Sequence, residues 1–161
     1  MAESGRWDWW RDFLGLSASS ARRAQDLLSR HYVEKSRHAA LFRRHAERMQ
    51  YPQFRDKLLA VAADESRHAE RLAEKIVLLG GRVPDVPKVS DTEKTTWQCL
   101  MEDLAAEQEA TAGLIQEAQS LRAELPGVAD LLERIYEDDQ KHRDILRQML
   151  MRSDPQSHLA F

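Results

Sequence analysis

Cysteine is almost absent. Cys99 stands alone in 161 residues, which excludes an internal disulfide framework and any cysteine-rich metal knuckle. Helix breakers are scarce too, with 5 Pro and 6 Gly, so helices have few points at which they must stop. No run of 18 apolar residues exists, which excludes a membrane-spanning helix. The opening MAESGRWDWW lacks the cationic start and uninterrupted apolar stretch of a secretory signal, so a cytoplasmic location is expected. A surface of one charge sign is also missing. Net charge is −3, and the densest basic run, Arg43-Arg44-His45, is followed closely by Glu47. Nucleic acid wants a one-signed basic face, so that partner is not expected. What remains is a chain 42 % apolar and 32 % charged, suited to one soluble helical domain large enough to bury a core.

Four long segments carry apolar residues at helical period. Segment A runs from about residue 20 to 49 and ends before Pro52. Segment B runs from about 53 to 79 and is stopped by Gly80-Gly81. Segment C starts near Asp91 or Thr92 and continues to about Leu121; Pro126-Gly127 separates it from segment D, about 128 to 151. Short turns join A to B and C to D, which makes each pair antiparallel. The B–C connector, RVPDVPKVSD, is different. Residues 82–91 reach about 30 Å when extended, enough to return along helices of about 37 Å. One long crossover between two hairpins is the connectivity of a ferritin-like four-helix bundle. The expected organisation is an all-α bundle over 20–151, preceded by an amphipathic extension, 1–19, and followed by a polar tail, 152–161. Within the extension, WDWWRDFLGL reads as a short amphipathic helix, and Asp8 and Asp12 beside Arg6 and Arg11 favour a cap on the bundle or a neighbouring subunit over a membrane-surface role.

The core-facing stripes carry the chemistry. In A the stripe reads Leu27, His31, Glu34, His38, Leu41, His45, Met49; in B, Leu58, Ala62, Glu65, His68/Ala69, Leu72, Ile76, Leu79. In C it reads Leu100, Leu104, Glu107, Thr111, Leu114, Ala118, Leu121; in D, Val128, Leu132, Ile135, Asp139, His142, Leu146, Met149. Each stripe is apolar at both ends and ionisable near its middle. A buried carboxylate is tolerated only when paired or metal-bound. Glu34 and Glu65 lie 31 residues apart, and Glu107 and Asp139 lie 32 apart, so the two hairpins set their ionisable layers alike. His68 and His142 each follow a carboxylate by three, on the same helix face. Four carboxylates and two imidazoles form a ligand set for two adjacent divalent ions, whose four positive charges balance four negative ones. Oxygen and nitrogen donors suit iron or manganese, which can meet O2 or H2O2 at open positions.

These motifs resemble the ferritin-like di-iron carboxylate proteins, especially the bacterioferritin and rubrerythrin branch, over residues 27–151. Glu34 stands at the helix-A ligand position, Glu65-Ser-Arg-His68 and Asp139-Gln-Lys-His142 at the two E-x-x-H motifs, and Glu107 closes a helix-C signature, EDLAAE. The resemblance implies bridging roles for Glu65 and Asp139 and terminal roles for Glu34 and Glu107. It implies two iron ions per chain, with manganese or a mixed Mn/Fe pair as alternatives. The expected activity is ferroxidase- or peroxidase-like, with an external electron donor. A same-fold enzyme oxidising an organic substrate and a non-enzymatic metal-binding or structural bundle are the other readings. Departures from the pattern are informative. Asp139 replaces a glutamate, and Ala110 stands where rubrerythrins carry a further carboxylate. No four-cysteine rubredoxin module follows. Ser66 takes the place of the bacterioferritin haem methionine, so no haem is expected. The tail RSDPQSHLAF offers no fifth helix, which favours a homodimer or small homo-oligomer over a storage shell.

Several neighbours stay open at this level. Asp138, four residues before His142, competes with Asp139 for the inward position. His38, one turn from Glu34, reads as a donor behind the ligands, a proton relay or an extra ligand, or equally as a boundary histidine. His31 and His45 read as histidines satisfied by bundle carboxylates, and Tyr32 and Tyr136 as packing residues.

Overall fold

The computed structural model describes residues 17–90 and 94–153, and among these every regular element is a helix. They are α1 (Ala18–Arg48), α2 (Pro52–Leu78), α3 (Thr96–Thr111), α4 (Leu114–Leu121) and α5 (Pro126–Arg152). The amphipathic helix expected before residue 17 and the tail beyond 153 lie outside the described residues.

Local chemistry sets the helix ends. Ser17 accepts a hydrogen bond from the Ser20 amide at 3.1 Å and opens α1. Pro52 and Pro126 sit in the first turns of α2 and α5, where a missing N–H costs nothing. After α2, Gly80 takes φ 79°. The Gly80 amide donates to Val77 and the Gly81 amide to Ile76, both at 2.9 Å, a Schellman closure that needs glycine at the left-handed position. Thr95 and Gln98 exchange side-chain and backbone hydrogen bonds as a capping box. That box starts α3 at Thr96; the start expected at Asp91 or Thr92 lies outside the described residues.

The third segment departs from expectation. It is not one helix to Leu121 but two, broken at Ala112-Gly113, where Gly113 takes φ 84°. The buried Thr111 hydroxyl donates to the Glu107 carbonyl, a back-bond that weakens the last turn of α3. Apolar periodicity runs through the break, which is why periodicity alone missed it.

Packing pairs α1 with α2 and α3/α4 with α5, and brings α1 against α3 and α2 against α5. The expected four-helix bundle is present, with α3 and α4 together forming its third member. Gln25 of α1 donates to the Leu79 carbonyl at the end of α2, so these helices are antiparallel. The crossover leaves that end, passes Val83 against the core there, and reaches Arg44, which donates to the Val89 carbonyl at 2.8 Å. Two apolar cores result. One gathers Leu28, Leu72, Ile76, Leu114, Leu121, Leu132 and Ile135; the other gathers Phe42, Phe54, Leu58, Leu100, Leu146 and Met149. Each fully buried side chain of this kind contributes about 2 kcal/mol. The polar layer lies between the two cores.

Gly113→Ala should lower stability by about 1 kcal/mol, because an L-residue is strained at positive φ even with open space around it. Gly127→Ala, within α5 and with only Lys75 Nζ nearby at 3.6 Å, should raise stability by roughly 0.5 kcal/mol. Urea unfolding of both variants checks the contrast, and equal effects would contradict it.

Candidate metal centre

Glu65, Glu107 and Asp139 are each 0 % exposed, and His68 and His142 are 3 % and 2 %. One donor atom from each of Glu65, Glu107, Asp139 and His142 lies within 4.8 Å of the others. Opposite ligands around one transition-metal ion stand roughly 4 Å apart, so a small inward closure completes a coordination sphere. His142 Nδ1 is 3.3 Å from Glu65 Oε1 and 3.8 Å from Asp139 Oδ1. His68 Nδ1 is 3.4 Å from Glu65 Oε1. His38, half-buried and stacked on Phe42, directs Nδ1 to within 3.5 Å of Glu107 and 3.8 Å of Glu65.

Many of these atoms lack hydrogen bonds. Both Glu107 oxygens, Asp139 Oδ2 and the Nδ1 atoms of His38, His68 and His142 are buried without a hydrogen-bond partner among the described residues. Leaving such groups unmade costs about 1–3 kcal/mol each. Their convergence from four helices fits a bound cation, which would accept electron pairs from all of them.

The outer nitrogens of the two ligand-type histidines are held crosswise. His68 Nε2 lies 3.2 Å from Asp138 Oδ2 on α5, and His142 Nε2 lies 3.3 Å from Asp64 Oδ2 on α2. A proton on each Nε2, shared with its aspartate, leaves the Nδ1 lone pair facing the layer. Asp138 is therefore the residue behind His68, and Asp139 is the one turned inward. Both aspartates immediately precede a motif carboxylate, as Asp64-Glu65 and Asp138-Asp139, a doubling that the sequence displays.

On α1 the inward stripe differs from the expected one. Leu28, Lys35, Ala39, Phe42 and Ala46 are buried, whereas Leu27, Glu34 and Leu41 are only half-buried. Glu34 is 36 % exposed and pairs with His31 Nδ1 at 3.3 Å. The position facing the layer belongs to Lys35, 1 % exposed, which donates to Asp139 Oδ1 at 2.6 Å and to Glu65 Oε1 at 3.2 Å. The layer thus holds three buried carboxylates and an ammonium. It is not the four-carboxylate set read from the stripes. A lysine could be overlooked because acid was expected to face acid; the faint signal was Leu28, Lys35 and Phe42, seven apart. Asp103 was also missed. It is 0 % exposed and meets His45 Nδ1 at 2.6 Å. His31 meets Glu117 at 2.6 Å, so His31 and His45 both answer to carboxylates outside the layer.

Electrostatics follow from this arrangement. Burial would strip the proton from Lys35, but Glu65, Glu107 and Asp139 more than reverse that and hold it above its ordinary value. Burial would raise Glu65, but Lys35 and the rings of His142 and His68 hold it well below the usual range. Burial is the largest influence on Asp139 and, with repulsion from Glu107 and Glu65, overcomes Lys35 to push it up to about 7. Burial opposes charge on His142, yet Glu65 raises it. Asp103 is pushed up to about 6 by burial, against the pull of His45.

Residues 28–153 match the sequence model of the ferritin-like domain. The chain belongs to the ferritin-like family. No curated protein matches it closely enough to add to that assignment. In this ferritin-like bundle the buried acid–histidine cluster is a potential metal-binding site. Among the described residues no helix is long and apolar enough to cross a membrane.

The raised groups fix a pH dependence. Asp139 and Asp103 have folded values above their unfolded value of 3.8, and His142 lies above 6.5. In each case the folded state holds its proton longer, so the associated stability is complete below the unfolded value and is lost as pH rises. Metal-free protein should therefore become less stable from pH 5 to pH 8. Urea unfolding in chelator checks this, and Asp139→Asn should flatten the slope. Stability that climbs across that window would contradict the assignment.

Proposed function

We propose that this ferritin-like protein is a redox metal enzyme that holds iron in its polar layer and reacts there with O2 or H2O2. The observation that carries the reading is the set of buried, unpartnered donors from Glu107, Asp139, His68 and His142. Glu65, Glu107, Asp139 and His142 would hold the metal, with His38 and His68 within reach. Iron bound there supplies one-electron exchange between Fe2+ and Fe3+ coupled to reduction of the oxidant; manganese is the alternative on the same donor chemistry.

The chain's own residues perform the remaining work. Asp64 and Asp138 fix the ring orientation of His142 and His68. The two apolar cores keep bulk water from the layer. Lys35 holds its protons beside the carboxylates, and His38 sets its ring against Glu65 and Glu107. A cavity of about 280 Å3 adjoins His38, lined by Glu34, Arg37, Glu102 and Glu109 among others. Its polar lining suits a hydrated cation or peroxide better than an apolar organic substrate, which favours the ferroxidase- or peroxidase-like outcome. The paired carboxylate–histidine motifs favour the bacterioferritin and rubrerythrin branch. One observation supports the non-enzymatic reading: Lys35 already compensates part of the layer without metal.

An anaerobic Fe2+ titration followed by O2 or H2O2 separates these readings. The expected result is tight binding and rapid oxidation of the bound ion, both abolished by Glu107→Ala or His142→Ala. Asp64→Asn should weaken binding about 10–100-fold while leaving the donor set intact. Binding should also tighten as pH rises through about 7, because Asp139 must release its proton to solvent before its carboxylate can hold the ion. Iron binding unchanged by Glu107→Ala would remove the proposal.

A further inference from the structure

We propose that the layer holds one divalent ion per chain, with the Lys35 ammonium serving as a fixed second cation. This inference rests on the layer binding metal, as proposed above, and adds to it the number of ions and what limits them.

The layer divides into unequal halves. Toward α3 and α5, Glu107, Asp139 and His142 stand together with Glu65, one donor atom of each within 4.8 Å of the others. Toward α1 and α2, the corresponding donors are Glu65 and His68, but α1 contributes no carboxylate. Glu34 turns to His31, and its neighbour Lys35 enters the layer instead. The Lys35 nitrogen lies 2.6 Å from Asp139 and 3.1 Å from Glu65. It therefore sits between the two carboxylates that a pair of ions would have to share. Like charge excludes an ion from the space the ammonium fills.

Charge leads to the same count. Glu65, Glu107 and Asp139 bring three negative charges and Lys35 one positive, which leaves two. One divalent ion neutralises that remainder. A second would leave a buried excess of two positive charges, at a cost of several kcal/mol per uncompensated ion. Both oxygens of Glu107 lack a hydrogen bond, whereas Glu65 Oε1 and Asp139 Oδ1 each accept one from Lys35.

Full-length protein, stripped with chelator, is titrated anaerobically with Mn2+. Bound ions are counted by equilibrium dialysis and elemental analysis, and electron paramagnetic resonance is recorded at saturation. The expected result is one Mn2+ per chain with the six-line spectrum of an isolated ion. Lys35→Glu, which supplies the missing carboxylate and removes the ammonium, should raise the count to two and give a spin-coupled spectrum. Two ions in the unaltered protein overturn this inference and leave the metal reading standing; no ion overturns both. A count that stays at one in folded Lys35→Glu also overturns it. Should that variant fail to fold, reductive methylation of the metal-loaded native chain decides. Lys35 protected shows the ammonium still in the layer, and Lys35 modified shows it expelled.

Discussion

Compensation of buried negative charge is the constraint around which the bundle is organised. Three carboxylates at the mid-plane of four helices cost several kcal/mol each to remove from water. Two apolar cores, at roughly 2 kcal/mol per buried large side chain, supply stability on either side of the layer but cannot satisfy it. Only positive charge at close range does that. Lys35 meets part of the demand through short contacts to Asp139 and Glu65. The remainder, centred on Glu107 and the inner faces of the histidines, is what makes the layer a candidate metal centre.

The histidine pair shows how secondary structure turns a spacing into chemistry. An i,i+3 offset puts each imidazole beside its motif carboxylate. Antiparallel packing of α2 on α5 then brings Asp64 level with His142 and Asp138 level with His68. Each helix thus orients the other's histidine. The rings, whose centroids are 6.0 Å apart, are held from outside while their inner nitrogens face the carboxylates. Neither helix could arrange this alone, so the bundle's packing and its site are one design.

Legibility in the sequence followed the same physics. The bundle, its crossover and the mid-plane layer were readable because apolar periodicity persists over long segments and breaks character only at the centre. The stripe assigned to segment D coincides with the buried face of α5 from Val128 to Met149. Where ordering depended on one residue's rotation, reading failed. Glu34 and Lys35 are adjacent, and 100° of helix turn decides which faces inward. The heptad of Leu28, Lys35 and Phe42 won because close packing of α1 on α2 seats small and apolar side chains such as Ala39, Phe42 and Ala46. The break at Gly113 was hidden for a related reason: the chain resumes the same face after one positive φ, so periodicity carries no trace of it.

Lysine and a metal ion are not equivalent answers to the layer. An ammonium has three donors, and Asp139 and Glu65 occupy those that the geometry shows in use. It remains a point charge on a flexible stem and cannot gather Glu107, His38 and His142 as well. A divalent ion, with short bonds to oxygen and nitrogen alike, can. Partial neutralisation by Lys35 would therefore help the bundle fold with its layer in place before any metal binds. Loading of a metal would then be an exchange, in which the cation displaces the proton from an Asp139 pushed up to about 7, and not a condition for forming the fold.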